Sequence, residues 1–229
     1  NKTLLYTTLP MGIISTPDYV ITVCIEENLT ISDMAEGRVK GLQTAMKTRF
    51  LLLTLLRIAQ RFLVYLKQID KISSSTEQRL HLSMRNKELI QLLGLEKSLV
   101  YFSTSLKSDE VTLEKILRGR IIKLYEEDED LLEDVLIEVK QAIEMCNIYS
   151  GILSGTMDAF ASVISNNLNI VMKILTAITI VMAIPNMVFS FYGMNVTGLP
   201  FPVWWVPVVI SIVIAGVGAF ILVKKDMFH

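Results

Sequence analysis

A stripe of small and polar side chains near the carboxyl end of the chain has residue types that could bind a hydrated cation. Its members recur at alternating steps of three and four residues: Asn169, Met172, Thr176, Thr179, Ala183, Asn186 and Ser190. This spacing places them on one face of a helix whose other positions are mainly Ile, Val, Leu and Met. Carbonyl and hydroxyl oxygens on such a face can accept hydrogen bonds from the water shell of Mg²⁺, without a carboxylate that would trap the ion. Close helix packing through small residues is the alternative, but packing alone does not require the carboxamides of Asn169 and Asn186.

A run of acidic residues is the second candidate for cation chemistry. Eight carboxylates fall within thirteen positions, uninterrupted by a base: Glu126, Glu127, Asp128, Glu129, Asp130, Glu133, Asp134 and Glu138. One interpretation is a solvated helix face. The other is that parallel copies of the helix bring these acids together around an axis, where a divalent cation would relieve their repulsion. Asp130 and Asp134 are the candidate ligands of such a regulatory cation.

The polar stripe lies in a tract that is long enough to cross a membrane twice. Residues 174–223 contain no Asp, Glu, Lys, Arg or His, and about 20 residues span a bilayer core. We predict spans at about 169–191 and 203–223, joined by an uncharged loop with two Gly and two Pro. Gly193 is expected to supply a left-handed cap, so that the negative end of the first helix dipole faces an incoming cation. Since two spans cannot enclose a water-filled path, transport requires several chains around one axis.

Charge placement predicts the orientation of the two spans. Lys173 flanks the first span, and Lys224 and Lys225 follow the second, whereas the loop between them is uncharged. The positive-inside rule then predicts a multi-pass protein of the cell membrane with both termini in the cytoplasm.

The composition argues against several other functions. The 22 basic and 23 acidic residues leave a net charge of −1, which gives no support for a nucleic-acid partner. Cys24 and Cys146 lack the spacing of a zinc site or a disulfide framework. No glycine-rich phosphate loop, metal triad or nucleophile motif is present, so we do not expect an enzyme.

We predict a mostly α-helical membrane protein with part of an α/β domain at its amino end. The predicted domains are the carboxyl-terminal part of a cytoplasmic α/β domain (1–45), a cytoplasmic helical stalk (46–168) and a two-helix transmembrane domain (169–229). The expected elements are a β-hairpin (11–14 with 19–25), helices from 49 to about 85 and from 88 to about 107, and a third helix from near 121. Nothing interrupts the third helix before the loop, so stalk and first span form one helix of roughly 70 residues, or roughly 100 Å. The chain opens inside a β-prone stretch, 4–9, and we expect a further portion upstream.

The motif Tyr192-Gly193-Met194-Asn195 resembles that of the CorA-type divalent-cation transporter superfamily, in which Gly-Met-Asn ends the first of two carboxyl-terminal spans. The similarity covers most of the chain and includes Ser165-Asn166-Asn167, Met172-Lys173-Ile174-Leu175-Thr176, Pro185 and Lys224-Lys225. The tripeptide alone is a weak signal. Its place after a long helix and before a short uncharged loop and a terminal span makes the resemblance specific.

The resemblance implies a homopentameric funnel in the membrane lipid that takes up Mg²⁺ passively and uses no organic cofactor. Gly193, Met194 and Asn195 would form the selectivity ring, in which Asn195 contacts the ion through its water. Asn169, Met172 and Thr176 resemble pore-lining positions, and Met172 and Leu175 resemble the hydrophobic gate. Asp134 matches a stalk acid that takes part in inhibitory Mg²⁺ binding between subunits; its usual partner, from the upstream α/β region, is not found in this sequence.

Two alternatives remain open. The loop reads Val-Thr-Gly-Leu-Pro-Phe-Pro and lacks a carboxylate, which is closer to the loop of the ZntB-like branch. Magnesium remains the first prediction because Gly-Met-Asn is intact, and a proton-coupled transporter of Zn²⁺, or of Co²⁺ or Ni²⁺, is the alternative. The long stalk alone would also fit a membrane-anchored coiled-coil scaffold that conducts no ion.

Overall fold

The computed structural model describes residues 5–83, 86–119, 122, 124–194, 198, 200–201 and 203–224. Two strands are followed by five helices: β1 (Met11–Ser15), β2 (Val20–Cys24), α1 (Leu29–Ala35), α2 (Lys47–Ser83), α3 (Asn86–Leu117), α4 (Glu126–Tyr192) and α5 (Trp205–Lys224). The chain divides into two compact units, Asn1–Met157 and Asp158–His229. The 67 residues of α4 contribute to both units. The mostly helical architecture with two apolar carboxyl-terminal helices is the predicted one.

The strands of the first unit form the predicted antiparallel hairpin. Its register pairs Met11 with Cys24 and Ser15 with Val20. The turn is closed by Thr16, whose backbone N–H donates to the carbonyl oxygen of Tyr19 over 2.8 Å. The hydroxyl oxygen of Thr16 in turn accepts from the Tyr19 N–H over 2.9 Å. Alternation along the strands and turn chemistry at Thr16 and Pro17 therefore suffice to specify this element.

Helix boundaries differ from the predicted ones at two places. α3 continues through Ser108 and Asp109. Within this helix the Thr112 hydroxyl donates to the Ser108 carbonyl oxygen, and buried apolar residues continue to Ile116. The helix ends before Gly119, which adopts a φ of 66°. α4 begins at Glu126 rather than near residue 121, and its first turn consists of four acids, whose charges favour the positive end of the helix dipole.

The short helix α1 was not predicted. Asn28 caps it, since the Asn28 side chain accepts from the Thr30 N–H over 2.9 Å. Met34 of α1 packs with Val39 and with Leu53 of α2. The helix is therefore held by packing as well as by its cap.

A hydrophobic core in the first unit joins α2, α3 and the beginning of α4. The residues with the least exposed side chains include Leu52, Leu66, Ile69, Leu80, Leu92, Leu95, Leu99, Leu106, Leu132, Val135 and Ala142. An aromatic group extends this core, with the ring of Phe62 edge-on to that of Phe102 at 5.1 Å. Tyr6 packs on the same ring at 6.2 Å. These buried apolar side chains form the hydrophobic core of the first unit.

Two helices are long and apolar enough to cross a membrane by length and composition, α4 and α5. In the most apolar 18-residue window of each, only 6% and 11% of the residues are buried. A helix in the core of a soluble protein would be mostly buried, so these values favour spans that contact lipid or other subunits. α4 continues through Pro185 although proline removes one backbone donor.

Candidate cation site

All seven residues of the polar stripe are exposed on α4. Met172 has 53% of its surface exposed, and Leu175, the other predicted gate residue, has 57%. The hydroxyl of Thr179 donates to the carbonyl oxygen of Leu175 over 2.8 Å. Because its proton is used within the helix, the Thr179 oxygen can present only lone pairs outward, as an acceptor for water protons.

The opposite face of α4 is the one covered by α5. A second row at steps of three and four is buried or half-buried: Ile170, Ile174, Ala177, Val181, Ile184 and Val188. The Cδ1 atom of Ile184 lies 3.2 Å from the position that a Cβ atom would take at Gly218 of α5. At about 100° per residue the two rows lie on opposite sides of the helix. The polar stripe therefore faces away from α5 and is left open in the chain.

The stripe extends further toward the amino end than the sequence analysis placed it. Ser165, Ser162 and Asp158 precede Asn169 at steps of four, three and four, and all three are exposed. Asp158 is the one acidic residue among the described residues of the second unit. Asp158 was not among the predicted residues, because the stripe was limited to the predicted span 169–191; the same periodicity, continued toward the amino end, reaches it.

The carboxyl end of α4 leaves little room for a side chain at position 193. The Gly193 N–H donates to the carbonyl oxygen of Phe189 over 2.9 Å, and a Cβ atom at Gly193 would lie 3.2 Å from that oxygen. The predicted left-handed cap at Gly193 is wrong: among the described residues of this connection, φ is positive at Gly198 (96°) and Phe201 (52°) and not at Gly193. A Cβ atom at position 193 would make a tight contact, and the Phe189 carbonyl would have to shift by a few tenths of an ångström to accept it. Asn195 lies outside the described residues, so its role as the selectivity residue stays a prediction.

The acidic run is not a uniformly solvated face. Asp128 is buried, and its Oδ1 atom lies 3.8 Å from Nη1 of Arg49 on α2. Together with Glu126, Glu127 and Lys47 these two residues line a cavity of about 1010 Å³ beside the hairpin. The base absent from the run is thus supplied by another helix of the first unit.

Asp130 and Asp134 are exposed on α4 in the first unit. Within the described part of one chain, no three His, Cys, Asp or Glu residues are placed to hold a metal ion. A regulatory site at these two acids stays a prediction.

Three titratable groups in the first unit, Asp109, Cys146 and Tyr149, are perturbed by burial. Burial raises the pKa of Asp109 to about 6. Burial also raises the pKa of the Cys146 thiol to about 12, with a smaller opposing effect from the charge of Lys107. A thiol with this pKa remains protonated at neutral pH and is neither a nucleophile nor a metal ligand.

Comparison with known proteins gives consistent matches. A family model described as "CorA-like Mg2+ transporter protein" matches residues 1–225. The Cobalt/magnesium transport protein CorA of Methanocaldococcus jannaschii is 29% identical over 203 residues, which are 85% of this chain and 62% of that protein. The protein of the same name from Thermotoga maritima is 33% identical over 141 residues, 56% of this chain and 40% of that protein. The chain thus spans less than two thirds of the length of these relatives.

A solved structure shares the fold. The structure of the CorA magnesium transporter from Methanocaldococcus jannaschii superposes with a TM-score of 0.73 and 22% sequence identity. The match covers 95% of this chain and 74% of that one.

Proposed function

The chain belongs to the family of CorA-like Mg²⁺ transporter proteins, and on that basis we propose that it conducts Mg²⁺ passively across the cell membrane. The observation that carries the proposal is the orientation of the polar stripe on α4. The seven stripe residues, all small or polar except Met172, face away from α5, and burying them against lipid would leave carboxamides and hydroxyls without water. Copies of α4 around one axis give these groups an aqueous path.

We propose a homopentamer with α4 innermost and α5 outside. The number five comes from the family resemblance, whereas the inside position of α4 is supported by the two opposite rows on that helix. Lys173 and Lys224 border the two apolar segments, which supports a cytoplasmic location for both termini.

The ion would travel hydrated along the stripe. Mg²⁺ dehydrates reluctantly, and the oxygens of Asn169, Thr179 and Asn186 can accept from its water shell. Asn195, with Gly193 and Met194, would form the selectivity ring at the outer mouth. Asp158 would raise the local concentration of cations at the other end of the stripe. None of these groups requires an organic cofactor or supports an enzymatic reaction.

We further propose that closure combines a hydrophobic gate with a stalk sensor. A ring of Met172 and Leu175 side chains offers no ligands to replace water, so a narrow ring would block by dewetting. Asp130 and Asp134 would bind cytoplasmic Mg²⁺ between neighbouring subunits and hold the assembly closed. A high Mg²⁺ concentration should therefore slow proteolysis of the stalk. The double variant Asp130→Asn with Asp134→Asn should show weaker protection. Equal protease resistance with and without Mg²⁺ would favour the interpretation of these acids as a solvated helix face.

The experiment is ion flux into liposomes that contain the full chain, with Mg²⁺, Co²⁺ or Zn²⁺ outside and with or without a pH gradient. We expect Mg²⁺ flux that does not depend on the gradient. Asn186→Leu should reduce it at least tenfold, whereas Met182→Leu, which also changes an exposed residue of α4 but lies off the stripe, should leave it unchanged. Zn²⁺ flux driven only by a pH gradient would favour the alternative that the loop without a carboxylate suggests. No flux of any ion would favour the scaffold.

A further inference from the structure

The ends of α2 and α3 that adjoin in the sequence form a tip on the first unit. α2 ends at Ser83 and α3 begins at Asn86. Beside these ends, Nη2 of Arg79 donates to Oε1 of Gln91 over 3.4 Å, and the two helices lie side by side and antiparallel. We call the described residues 78–83 and 86–91 the tip.

α2 runs parallel to the part of α4 that belongs to the first unit. Near the start of both helices, Nη1 of Arg49 lies 3.8 Å from Oδ1 of Asp128. Further along, burial raises the pKa of Tyr149 on α4, and the negative charge of Asp70 on α2 raises it too, so these two residues lie near each other. The two members of each pair are 79 residues apart in the sequence, and the helices therefore keep one register over this length.

The tip lies at the end of the first unit from which the chain enters the membrane. α2 reaches Ser83, 13 residues after Asp70, whereas the first unit's part of α4 reaches Met157, 8 residues after Tyr149. At about 1.5 Å per residue, the tip extends past that part of α4 by roughly 7 Å. After Met157 the same helix continues into its apolar segment, so the tip is directed toward the surface of the bilayer.

The outward surface of the tip combines apolar and basic side chains. Leu82 is 89% exposed, the highest value among the large apolar residues that the structure describes, and Ile90 is 55% exposed. Arg79 and Lys87 are exposed as well. Glu88 is the one acid among the described tip residues, and it is half-buried with its Oε2 atom inside the protein. The exposed charge of the tip is therefore positive.

We propose that the tip is a membrane-contact surface that binds the headgroups of anionic lipids. A protruding apolar side chain between basic ones suits the bilayer interface, because Leu82 can enter the boundary with the acyl chains while Arg79 and Lys87 meet phosphate groups. Attraction to an anionic surface acts within a Debye length, about 8 Å at physiological ionic strength. The inference depends on α4 and α5 lying in a membrane and not on which ion is transported.

The test is amide hydrogen exchange of the full chain in lipid nanodiscs, made of phosphatidylcholine alone or of an equal mixture with phosphatidylglycerol. Exchange at 78–83 and 86–91 should be roughly threefold to tenfold slower in the anionic nanodiscs, and high salt should remove most of this difference. The double variant Leu82→Ser with Lys87→Gln should lose the difference. Val64→Ser with Lys67→Gln makes the same changes at exposed positions in the middle of α2 and should keep it.

Equal exchange of the wild-type tip in the two lipid compositions would overturn the proposal. An equal loss of protection in both double variants would also overturn it, because the effect would then not belong to the tip. Slow exchange in lipid-free detergent that disappears when the assembly dissociates would identify a second copy of the chain as the occupant instead. Since none of these measurements involves ion flux, failure of this proposal is distinguishable from failure of the transport function.

Discussion

Ile184 of α4 packs directly against Gly218 of α5, with its Cδ1 atom 3.2 Å from the position of a Cβ atom at residue 218. Two residues earlier, a Cβ atom at Gly216 would meet no atom within 4 Å. The close approach of the second apolar helix to the first is therefore specific to one face of α5. Because this face of α5 covers one side of α4, the opposite side, which carries the polar stripe, is left open.

A bulky residue at Gly218 should separate the two helices. We expect Gly218→Val to destabilise the second unit by about 1–3 kcal/mol, because the added methyl groups overpack the contact with Ile184. The measurement is the apparent thermal midpoint of the detergent-solubilised full chain. Gly216→Val is the matched control and should have a much smaller effect; equal losses in both variants would contradict the packing of Gly218 on Ile184.

The selectivity prediction concerns Asn195. Asn195→Ala should nearly abolish Mg²⁺ flux and leave the assembly intact, since the carboxamide is expected to accept from the water of the ion rather than to pack. Asn195→Asp should bind the ion more tightly and pass it more slowly, because a ring of carboxylates makes a deeper electrostatic well. Flux in liposomes and native mass spectrometry measure the two properties, and Asn147→Ala in the stalk is the control. Normal flux in Asn195→Ala would reject the assignment.

The gate prediction concerns two exposed apolar residues on α4. Met172→Ala or Leu175→Ser should raise flux or lessen inhibition by internal Mg²⁺, because a wider or more polar ring no longer expels water. Met182→Ala changes another exposed methionine, 65% exposed and off the stripe, and should have no effect. If both gate variants behave like wild type, the constriction lies elsewhere.

Asp109 gives the stability of the first unit a defined pH dependence. Burial raises its pKa from 3.8 to about 6, so the folded state binds this proton more tightly than the unfolded chain. Its contribution to stability is therefore fully present below about pH 4 and is lost as the pH rises through about 6. At pH 7, Asp109→Asn should raise the free energy of unfolding by on the order of 1 kcal/mol, a small value because the side chain is partly exposed to solvent. This gain in stability should vanish near pH 4.

Thermal unfolding of the full chain between pH 4 and pH 8 measures this difference. Glu110→Gln removes the neighbouring charge on α3 and is the control. An equal gain in both variants at every pH would contradict the role of burial at Asp109.

The ion pair between Arg49 and Asp128 should contribute more than an exposed pair. Arg49→Met leaves a carboxylate that is only 8% exposed without its partner, and we expect a loss of about 1–2 kcal/mol, because Arg49 itself is partly exposed. Asp128→Asn in the same chain should recover most of that loss. Arg118→Met breaks the exposed pair with Glu114 and should cost about 0–1 kcal/mol. Equal losses in the two single variants, measured by chemical denaturation, would show that the burial of Asp128 has no energetic effect.

The sequence by itself determined the elements whose signals are local. The segments 11–14 and 19–25, with the Thr16-Pro17 turn between them, predicted the hairpin. The charge-free tract predicted two apolar helices because about 20 residues cross a bilayer. The alternating steps from Asn169 to Ser190 predicted one polar face, since helical periodicity depends only on neighbours within a few turns. The role of Asn195 rests on resemblance alone and stays a prediction.

Only the tertiary structure decided which side of α4 is covered, because that depends on the contact of Gly218 with Ile184 across the loop. Likewise, the sequence left open whether the acidic run is solvated, and the partner of Asp128, Arg49, lies far away in the sequence. Gly193 was assigned a left-handed cap, whereas its φ is not positive and a Cβ atom there would instead come close to the Phe189 carbonyl. In each case the neighbouring atom that decides the outcome comes from another helical turn or another element. A local sequence pattern does not specify which distant atom will pack against a given residue.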